Sequence, residues 1–195
     1  MAHAALTAQG RRSEMGITMK RESISLITAL LVVAFAGASR AADEKAELAA
    51  EVNEAKATLL KTDAGLKDIM EKAKGYVLFP SVAKGGFGVG AAADTGQLIE
   101  KGKAVGEAKL RQVSVGFQAG GQAYIELVCF EDQTGLDNFK KENFEFSAQV
   151  SAVAVTAGIA KKAKYEKGIM VLTLAKGGFM YEASVGGQKF KYKAY

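Results

Sequence analysis

The sequence is poor in the residues on which many enzymes and metal sites depend. It contains one histidine, His3, one cysteine, Cys129, and no tryptophan in 195 residues. Beyond position 3 the chain therefore has no imidazole base for Ser-His or Cys-His catalysis, and it lacks the commonest zinc ligand. It contains no calcium-binding or phosphate-binding loop motif. We expect a protein that is not an enzyme and that uses no cofactor and no metal.

The single cysteine and the single proline limit the architecture. Cys129 has no partner for a disulfide within the chain. It lies in the apolar run YIELVCF, where a thiol behaves as a small buried hydrophobe. Pro80 is the only proline, and no linker-like stretch is present, so we expect one domain after the N-terminal segment.

The first 41 residues resemble an export signal. Met19-Lys20-Arg21 is a short basic start, residues 23–38 are small, hydroxyl or apolar, and Ser39-Arg40-Ala41 provides small residues at both positions that a cleavage site requires. This order is typical of a secretory signal peptide. The apolar stretch is shorter than the ~20 residues that span a bilayer. We expect cleavage after Ala41, a domain over 42–195 and a periplasmic or secreted location, peripheral to a membrane. Because Met19 is an alternative start, translation of residues 1–18 stays open.

Charge is distributed unevenly along the chain. The whole sequence has 26 basic and 21 acidic residues. Residues 43–60 contain five acidic and two basic side chains, whereas residues 161–195 contain eight lysines and two glutamates. A basic C-terminal third is suited to an acidic partner such as phospholipid headgroups. The alternative is that strand lysines keep sheet edges soluble and unpaired.

The spacing of apolar residues changes once along the chain. Between residues 42 and 74 they recur every three or four positions, which predicts helices over 43–61 and 64–74, interrupted near Asp63 and ended by Gly75. From Gly75 onward the period is two, which predicts short strands, the first of them ended by Pro80. Turns are expected at 94–96, 101–102 and 120–121. A short helix that ends near residue 141 is expected to direct Leu136 and Phe139 inward. The predicted strands include residues 161–165. The predicted fold class is α+β, with N-terminal helices packed on a curved, mainly antiparallel sheet or partial barrel.

One five-residue segment, AKGGF, occurs twice, at 83–87 and 175–179. We interpret the two copies as similar hairpins that use the same turn, because a single short match is weak evidence for duplication. The additional glycines at 88 and 90 allow the strand to coil sharply. Phe87 and Phe179 are expected in the core, with exposure as the alternative.

Four segments, in order, resemble the SYLF family of lipid-binding domains. They are GLKDIMEKAKGYVLFPSVAKGGFGVG (65–90), VSVGFQAGGQ (113–122) with the following IELVCF, the short LDNF helix, and YEKGIMVLTLAKGGFMYEASVGGQKF (165–190). The resemblance implies phospholipid binding without catalysis, cofactor or metal. Eukaryotic members also bind actin, a property that we do not transfer to an exported bacterial protein. Those members use a basic N-terminal segment to contact lipid, whereas residues 43–60 are acidic here.

We therefore expect a non-catalytic protein of the bacterial cell envelope that binds anionic phospholipid membranes and no nucleic acid. The candidate lipid-binding residues are lysines on the sheet or its turns: Lys84, Lys176, Lys161, Lys162, Lys164, Lys189 and Lys191. Each lysine near an anionic surface contributes ~1 kcal/mol, so several of them hold a salt-sensitive complex. The alternative is a periplasmic structural or protein-interaction module that does not bind lipid directly, and its protein partner is unknown.

Overall fold

The computed structural model describes residues 21–141, 144–146 and 152–195. The chain divides into two compact units between Asp43 and Glu44. Helix α1 extends over Arg21–Thr62, so its first part belongs to the first unit. The core, the sheet and the sites described below belong to the second unit, Glu44–Tyr195.

The helical region breaks at Asp63, as the sequence predicts. Helix α2 follows over Leu66–Lys72. The Asp63 carboxylate accepts hydrogen bonds from the backbone N–H groups of Ala160, at 2.8 Å, and Gly65, at 2.9 Å. These hydrogen bonds hold the pKa of Asp63 below its ordinary value, and the bond from Ala160 has the largest effect. The prediction that Gly75 ends the second helix is wrong, because Ala73 is its extended C-cap and Gly75 begins the first strand.

Three long antiparallel strands form most of the sheet. They are β1 (Gly75–Glu100), β2 (Lys103–Phe130) and β5 (Ile169–Ala194), and their order is β1-β2-β5. The short strand β3 (Phe144–Phe146) pairs antiparallel with β5, and β4 (Ala152–Ala154) pairs parallel with it. Helix α3 spans Gln133–Lys140 and buries Leu136 and Phe139, as predicted. A single 3₁₀ turn, Ile159–Lys161, precedes β5. The α+β prediction with a curved, mainly antiparallel sheet is confirmed.

The sheet folds back on itself across its three long strands. The N–H of Ser81 donates to a carboxylate oxygen of Asp94 at 2.7 Å, although both residues lie on β1. The rings of Phe79 on β1 and Phe190 on β5 lie 5.7 Å apart. A Cβ atom at Gly96 would clash with the carbonyl oxygen of Leu78, so only glycine permits this close approach of the two layers.

We name the two layers by what covers their outer faces. The helix-covered half contains residues 75–82, 123–130 and 169–175, and the open half contains residues 91–100, 103–113 and 187–194. Apolar side chains of both halves, together with α3, form one core between the layers. A second core lies between the helix-covered half and the helices α1 and α2, and includes Leu59, Leu66, Leu78 and Leu127. The thiol of Cys129 is buried in this second core, as expected.

Several of the predicted boundaries between short strands are wrong. Residues 94–96 and 120–121 lie inside β1 and β2, and β1 continues through Pro80. Proline is tolerated there because β1 is an edge strand and its pairing with β2 is irregular between Phe79 and Val82. Residues 161–165, predicted as a strand, are instead the last residue of the 3₁₀ turn and the irregular segment after it. The predicted turn at Lys101-Gly102 is confirmed, with positive φ at both residues.

The two AKGGF segments are not hairpin turns. They lie inside β1 and β5 at the same level of the sheet, on either side of β2, where Ala83 pairs with Ala123 and Ala123 pairs with Gly177. The repeated segment therefore marks the place where two strands leave the helix-covered half. The interpretation as two reused hairpins is wrong, because each copy continues in its own strand instead of reversing it.

Candidate functional site

The structure places the seven predicted lysines in three separate locations. Lys84 and Lys176, next to the two glycine pairs, lie near the fold of the sheet. Lys84 is only 9% exposed, and its charge lowers the pKa of the buried Glu126. Lys176 is exposed, and its ammonium donates to the carbonyl oxygen of Pro80 at 3.3 Å. The charge of Lys176 also lowers the pKa of Asp94, so both lysines partly balance carboxyl groups of the fold.

The second location is the segment before β5. Lys161 ends the 3₁₀ turn, Lys162 is its C-cap, and Lys164 follows two residues later. All three side chains are exposed. The hydrogen bond from Ala160 to Asp63 fixes this segment to the break between α1 and α2. These lysines therefore form a group of their own, separate in the chain from the other candidates.

The third location is the outer face of the open half, where Lys189 and Lys191 lie on β5. The strand register places Arg111 directly opposite Lys189 and Lys109 directly opposite Lys191. All four side chains are exposed, whereas the intervening Leu110 and Phe190 are buried between the layers. Lys193 extends the row and pairs with Glu107. We call the five basic residues Lys109, Arg111, Lys189, Lys191 and Lys193 the basic face.

Sequence reasoning found two members of the basic face and missed the others. Lys109 and Arg111 lie about 80 residues before their partners, and only the strand register brings them together. A local signal was nevertheless present, because KLR at 109–111 and KFKYK at 189–193 both alternate basic with apolar or aromatic residues. Such alternation is typical of strands with one face in the core and the other in solvent.

The basic face is electrostatically unusual. Cross-strand neighbours directly opposite each other are the closest side-chain pairs in an antiparallel sheet, and like charges in these positions are destabilising. Two successive like-charge pairs, Lys109–Lys191 and Arg111–Lys189, occupy such positions here. Acidic residues also pair across strands with this face, since Glu107 of β2 lies opposite Lys193 and Glu145 of β3 lies opposite Lys189. Repulsion within the two like-charge pairs is therefore expected to destabilise the protein, most strongly at low salt.

An exposed apolar tip adjoins the basic face. Val113 follows Arg111 on the same face of β2 and is 63% exposed, and Val89 of β1 is 60% exposed. Phe87 is 88% exposed, so the expectation that it belongs to the core is wrong. Gly88 has a φ of 69°, and the pairing register of β1 with β2 is irregular between Phe87 and Val89. This irregularity interrupts the alternation of inward and outward side chains, so the ring of Phe87 points outward. The side chain of Phe179 lies outside the described residues.

A buried polar group lies between the two layers. Glu126, on the inner face of the helix-covered half, accepts a hydrogen bond at 2.9 Å from the amide of Gln188 in the open half. In the described part of the chain its other oxygen has no hydrogen-bond partner. Burial raises the pKa of Glu126 to about 7, helped by the charge of Asp94 and opposed by the hydrogen bond from Gln188 and by the charge of Lys84.

The one thiol of the sequence, that of Cys129, is buried. Burial raises the pKa of the Cys129 thiol to about 12, so at neutral pH this sulfur is protonated and unreactive. Within residues 21–141, 144–146 and 152–195, no group of three or more His, Cys, Asp or Glu side chains is arranged to hold a metal ion. In the same ranges, none of the helices combines the length and the apolar character that crossing a bilayer requires.

Comparison with known proteins connects the C-terminal part of the chain to a domain family. Residues 111–193 match the model of the family described as Ysc84, Las17-binding protein actin regulator, which is the SYLF domain. The chain is also 25% identical over 127 residues to beta cell expansion factor A of Aeromonas veronii. The aligned region covers 64% of this chain and 48% of that protein. This chain thus spans about half the length of that relative. The resemblance to the SYLF family is confirmed, and the family suggests a binding role related to lipid or actin.

Proposed function

We propose, from the SYLF match over residues 111–193, that this protein is a non-catalytic component of the bacterial cell envelope that binds anionic phospholipid surfaces. The chain begins with the signal-like segment 1–41, which supports export to the periplasm or the exterior. Cys129, its one thiol, is buried, and His3, its one histidine, lies within that segment. These features favour binding as the function of the folded unit.

The observation that carries the proposal is the pair of like-charge contacts on the basic face. Lys109–Lys191 and Arg111–Lys189 align four cations in two rungs of an exposed sheet. A membrane presents many phosphate groups in one plane, and a sheet face presents its cations in one plane as well. Because each Lys or Arg near an anionic leaflet contributes ~1 kcal/mol, these four residues supply about 4 kcal/mol of salt-sensitive attraction.

The apolar tip supplies a second kind of contact. Phe87, Val89 and Val113 are large apolar side chains that the fold leaves in water, at the end of the basic face. An aromatic ring at the level of the headgroups buries apolar area in the interfacial region. Shallow insertion of this tip beside a row of cations is the combination by which peripheral proteins bind anionic membranes without a spanning segment.

The test is co-sedimentation with liposomes of neutral or anionic phospholipid at low and moderate salt. Wild-type protein is expected to bind only the anionic liposomes, and less at moderate salt. Neutralising four residues of the basic face should weaken binding by at least about tenfold, since more than 1.4 kcal/mol of attraction is lost. This variant carries Lys109→Gln, Arg111→Gln, Lys189→Gln and Lys191→Gln.

Two further variants make the test specific. The control removes four exposed lysines outside the basic face, by Lys61→Gln, Lys72→Gln, Lys74→Gln and Lys141→Gln, and should bind nearly as wild type does. The other variant neutralises Lys161, Lys162 and Lys164, and a larger loss here than on the basic face would move the lipid site to that segment. If wild-type protein binds no liposome under any condition, a protein-interaction module becomes the better hypothesis.

A further inference from the structure

A cleft of about 430 Å³ lies beside the second core, between the helices and the turn that joins β1 to β2. Its walls come from α1, from α2, from the start of β1 and from the turn at Lys101-Gly102. This volume is within the range of sites that hold small molecules in proteins. The cleft belongs neither to the basic face nor to the apolar tip.

The floor of the cleft is apolar. Met70 and Ile99 are almost fully buried, and Leu60 and Ala73 are half-buried around them. The ring of Tyr76 closes one side, and its hydroxyl accepts a hydrogen bond from the ammonium of Lys56 at 3.1 Å. A hydrocarbon chain that binds on this floor would be transferred from water to a preformed apolar surface, which is favourable.

The charged groups of the cleft are mainly cationic. Three lysines, Lys56, Lys67 and Lys101, line it together with one carboxylate, that of Glu71. Glu71 lies 3.9 Å from Lys67 in an exposed contact, which offsets one of the three charges only weakly. The cleft therefore has an excess of positive charge above an apolar floor, even though residues 43–60 of the adjoining helix are acidic overall.

We propose that this cleft binds one single-chain anionic amphiphile, a carboxylate or phosphate head on a short hydrocarbon tail, as an individual molecule. The tail occupies the floor formed by Leu60, Met70 and Ile99, and the head pairs with the lysines. Neither feature alone selects this class, since a neutral apolar ligand would not use the lysines and a small inorganic anion would not use the floor. The site is independent of the proposed membrane contact and extends beyond it.

The experiment is calorimetric titration of the full chain with soluble single-chain ligands below the concentration at which they form micelles. Decanoate represents a free fatty acid, a short-chain lysophosphatidylglycerol represents a membrane-derived lipid, and decanol is the uncharged match for decanoate. We expect saturable binding of one anionic ligand per chain, with decanol at least roughly tenfold weaker. Preference for one of the two anionic ligands identifies the source of the natural amphiphile.

The variants separate the cleft from the membrane-binding surface. Lys56→Gln, Lys67→Gln and Lys101→Gln together should weaken decanoate binding at least roughly tenfold, whereas the exposed control Lys61→Gln, Lys72→Gln and Lys74→Gln should stay within about twofold of wild type. The four-residue variant of the basic face should bind decanoate normally, and the cleft variant should still sediment with anionic liposomes. Ala73→Phe fills the cleft and should abolish binding of both head types.

Three results would overturn the proposal. They are equal affinity for decanoate and decanol, equal loss in the cleft and control variants, and the absence of saturable binding by wild-type protein. Because Lys67 and Lys101 are exposed and Lys56 is half-buried, the glutamine variants are expected to fold. The conclusion therefore does not depend on the stability of Ala73→Phe.

Discussion

The two halves of the folded sheet consist of the same three strands, yet their outer faces differ in chemistry. In the helix-covered half the outward positions are apolar and lie under α1 and α2, as Leu78, Leu127 and Leu172 do. In the open half the outward positions of β2 and β5 include exposed basic and apolar residues, such as Lys109, Lys191 and Val113. Inward positions are predominantly apolar in both halves, since both halves share the core between the layers.

This difference explains why the sequence pattern changes along each strand. Strand segments buried on both faces are continuous apolar runs, such as YVLF at 76–79 and LVCF at 127–130. Segments with one solvated face alternate, such as KFKYK at 189–193. The outer face of the helix-covered half therefore contributes to the second core, whereas the outer face of the open half carries exposed basic and apolar residues.

The largest expected effect comes from two truncations on the outward side of the same strand, β2. Leu127→Ala should lower the free energy of unfolding by about 3 kcal/mol, because it removes a fully buried side chain from beneath the helices. Val113→Ala should change it by less than about 0.5 kcal/mol, because that side chain is 63% exposed. Urea denaturation of the two variants measures both values, and similar losses would refute the assignment of separate roles to the halves.

The next effect concerns the contact between the two layers and depends on pH. Glu126, buried under Gln188, has a pKa raised from 4.5 to about 7. A carboxyl group with a raised pKa in the folded state favours folding in its protonated form. This contribution is complete below pH 4.5 and is lost as the pH rises from about 4.5 to 7. The folded protein therefore carries a buried carboxylate at pH 8, with Asp94 and Lys84 as its charged neighbours.

Glu126→Gln tests this sign directly. The variant should be more stable than wild type by on the order of 2 kcal/mol at pH 8, because the cost of the buried charge is removed while an oxygen remains to accept from Gln188. At pH 5 the difference should be small, since wild-type Glu126 is then mostly protonated in the folded state. Denaturation at both pH values provides the measurement, and Glu131→Gln, at an exposed site directly after β2, serves as the control. A gain that is the same at both pH values would contradict the titration of Glu126.

The sequence predicted the local elements well and the long-range ones poorly. The helix break at Asp63, the short helix with Leu136 and Phe139 inward, and the turn at Lys101-Gly102 depend on neighbouring residues, and all three are confirmed. Residues 94–96 and 120–121 also carry local turn signals, but both lie inside long strands. Backbone pairing over more than 20 residues outweighs the local preference of glycine for turns.

The candidate site was predicted in part for the same reason. Lys189 and Lys191 were named as binding residues, but their partners Arg111 and Lys109 depend on a register that no local pattern contains. The exposure of Phe87 depends on an irregularity in the pairing of β1 with β2, so its apolar character alone suggested the core. The cleft joins α1, α2 and a hairpin turn, and its lysines are far apart in the sequence.

The smallest expected effect is the one that connects the basic face to function. Neutralising Lys109, Arg111, Lys189 and Lys191 should raise the free energy of unfolding by at most about 0.5–1 kcal/mol at low salt. Two directly opposed like-charge pairs are removed, and the loss of the pairing of Lys189 with Glu145 offsets part of the gain. Added salt should stabilise wild type relative to this variant, since screening weakens the same repulsion. Urea denaturation at two ionic strengths measures both effects, with the lysine variant Lys61→Gln, Lys72→Gln, Lys74→Gln and Lys141→Gln as control.

If the neutral variant is more stable but no longer sediments with anionic liposomes, the repulsion between these cations is a cost retained for binding. If it is less stable, the four cations contribute to the fold, and the outer faces of the two halves differ less in role than their exposure indicates.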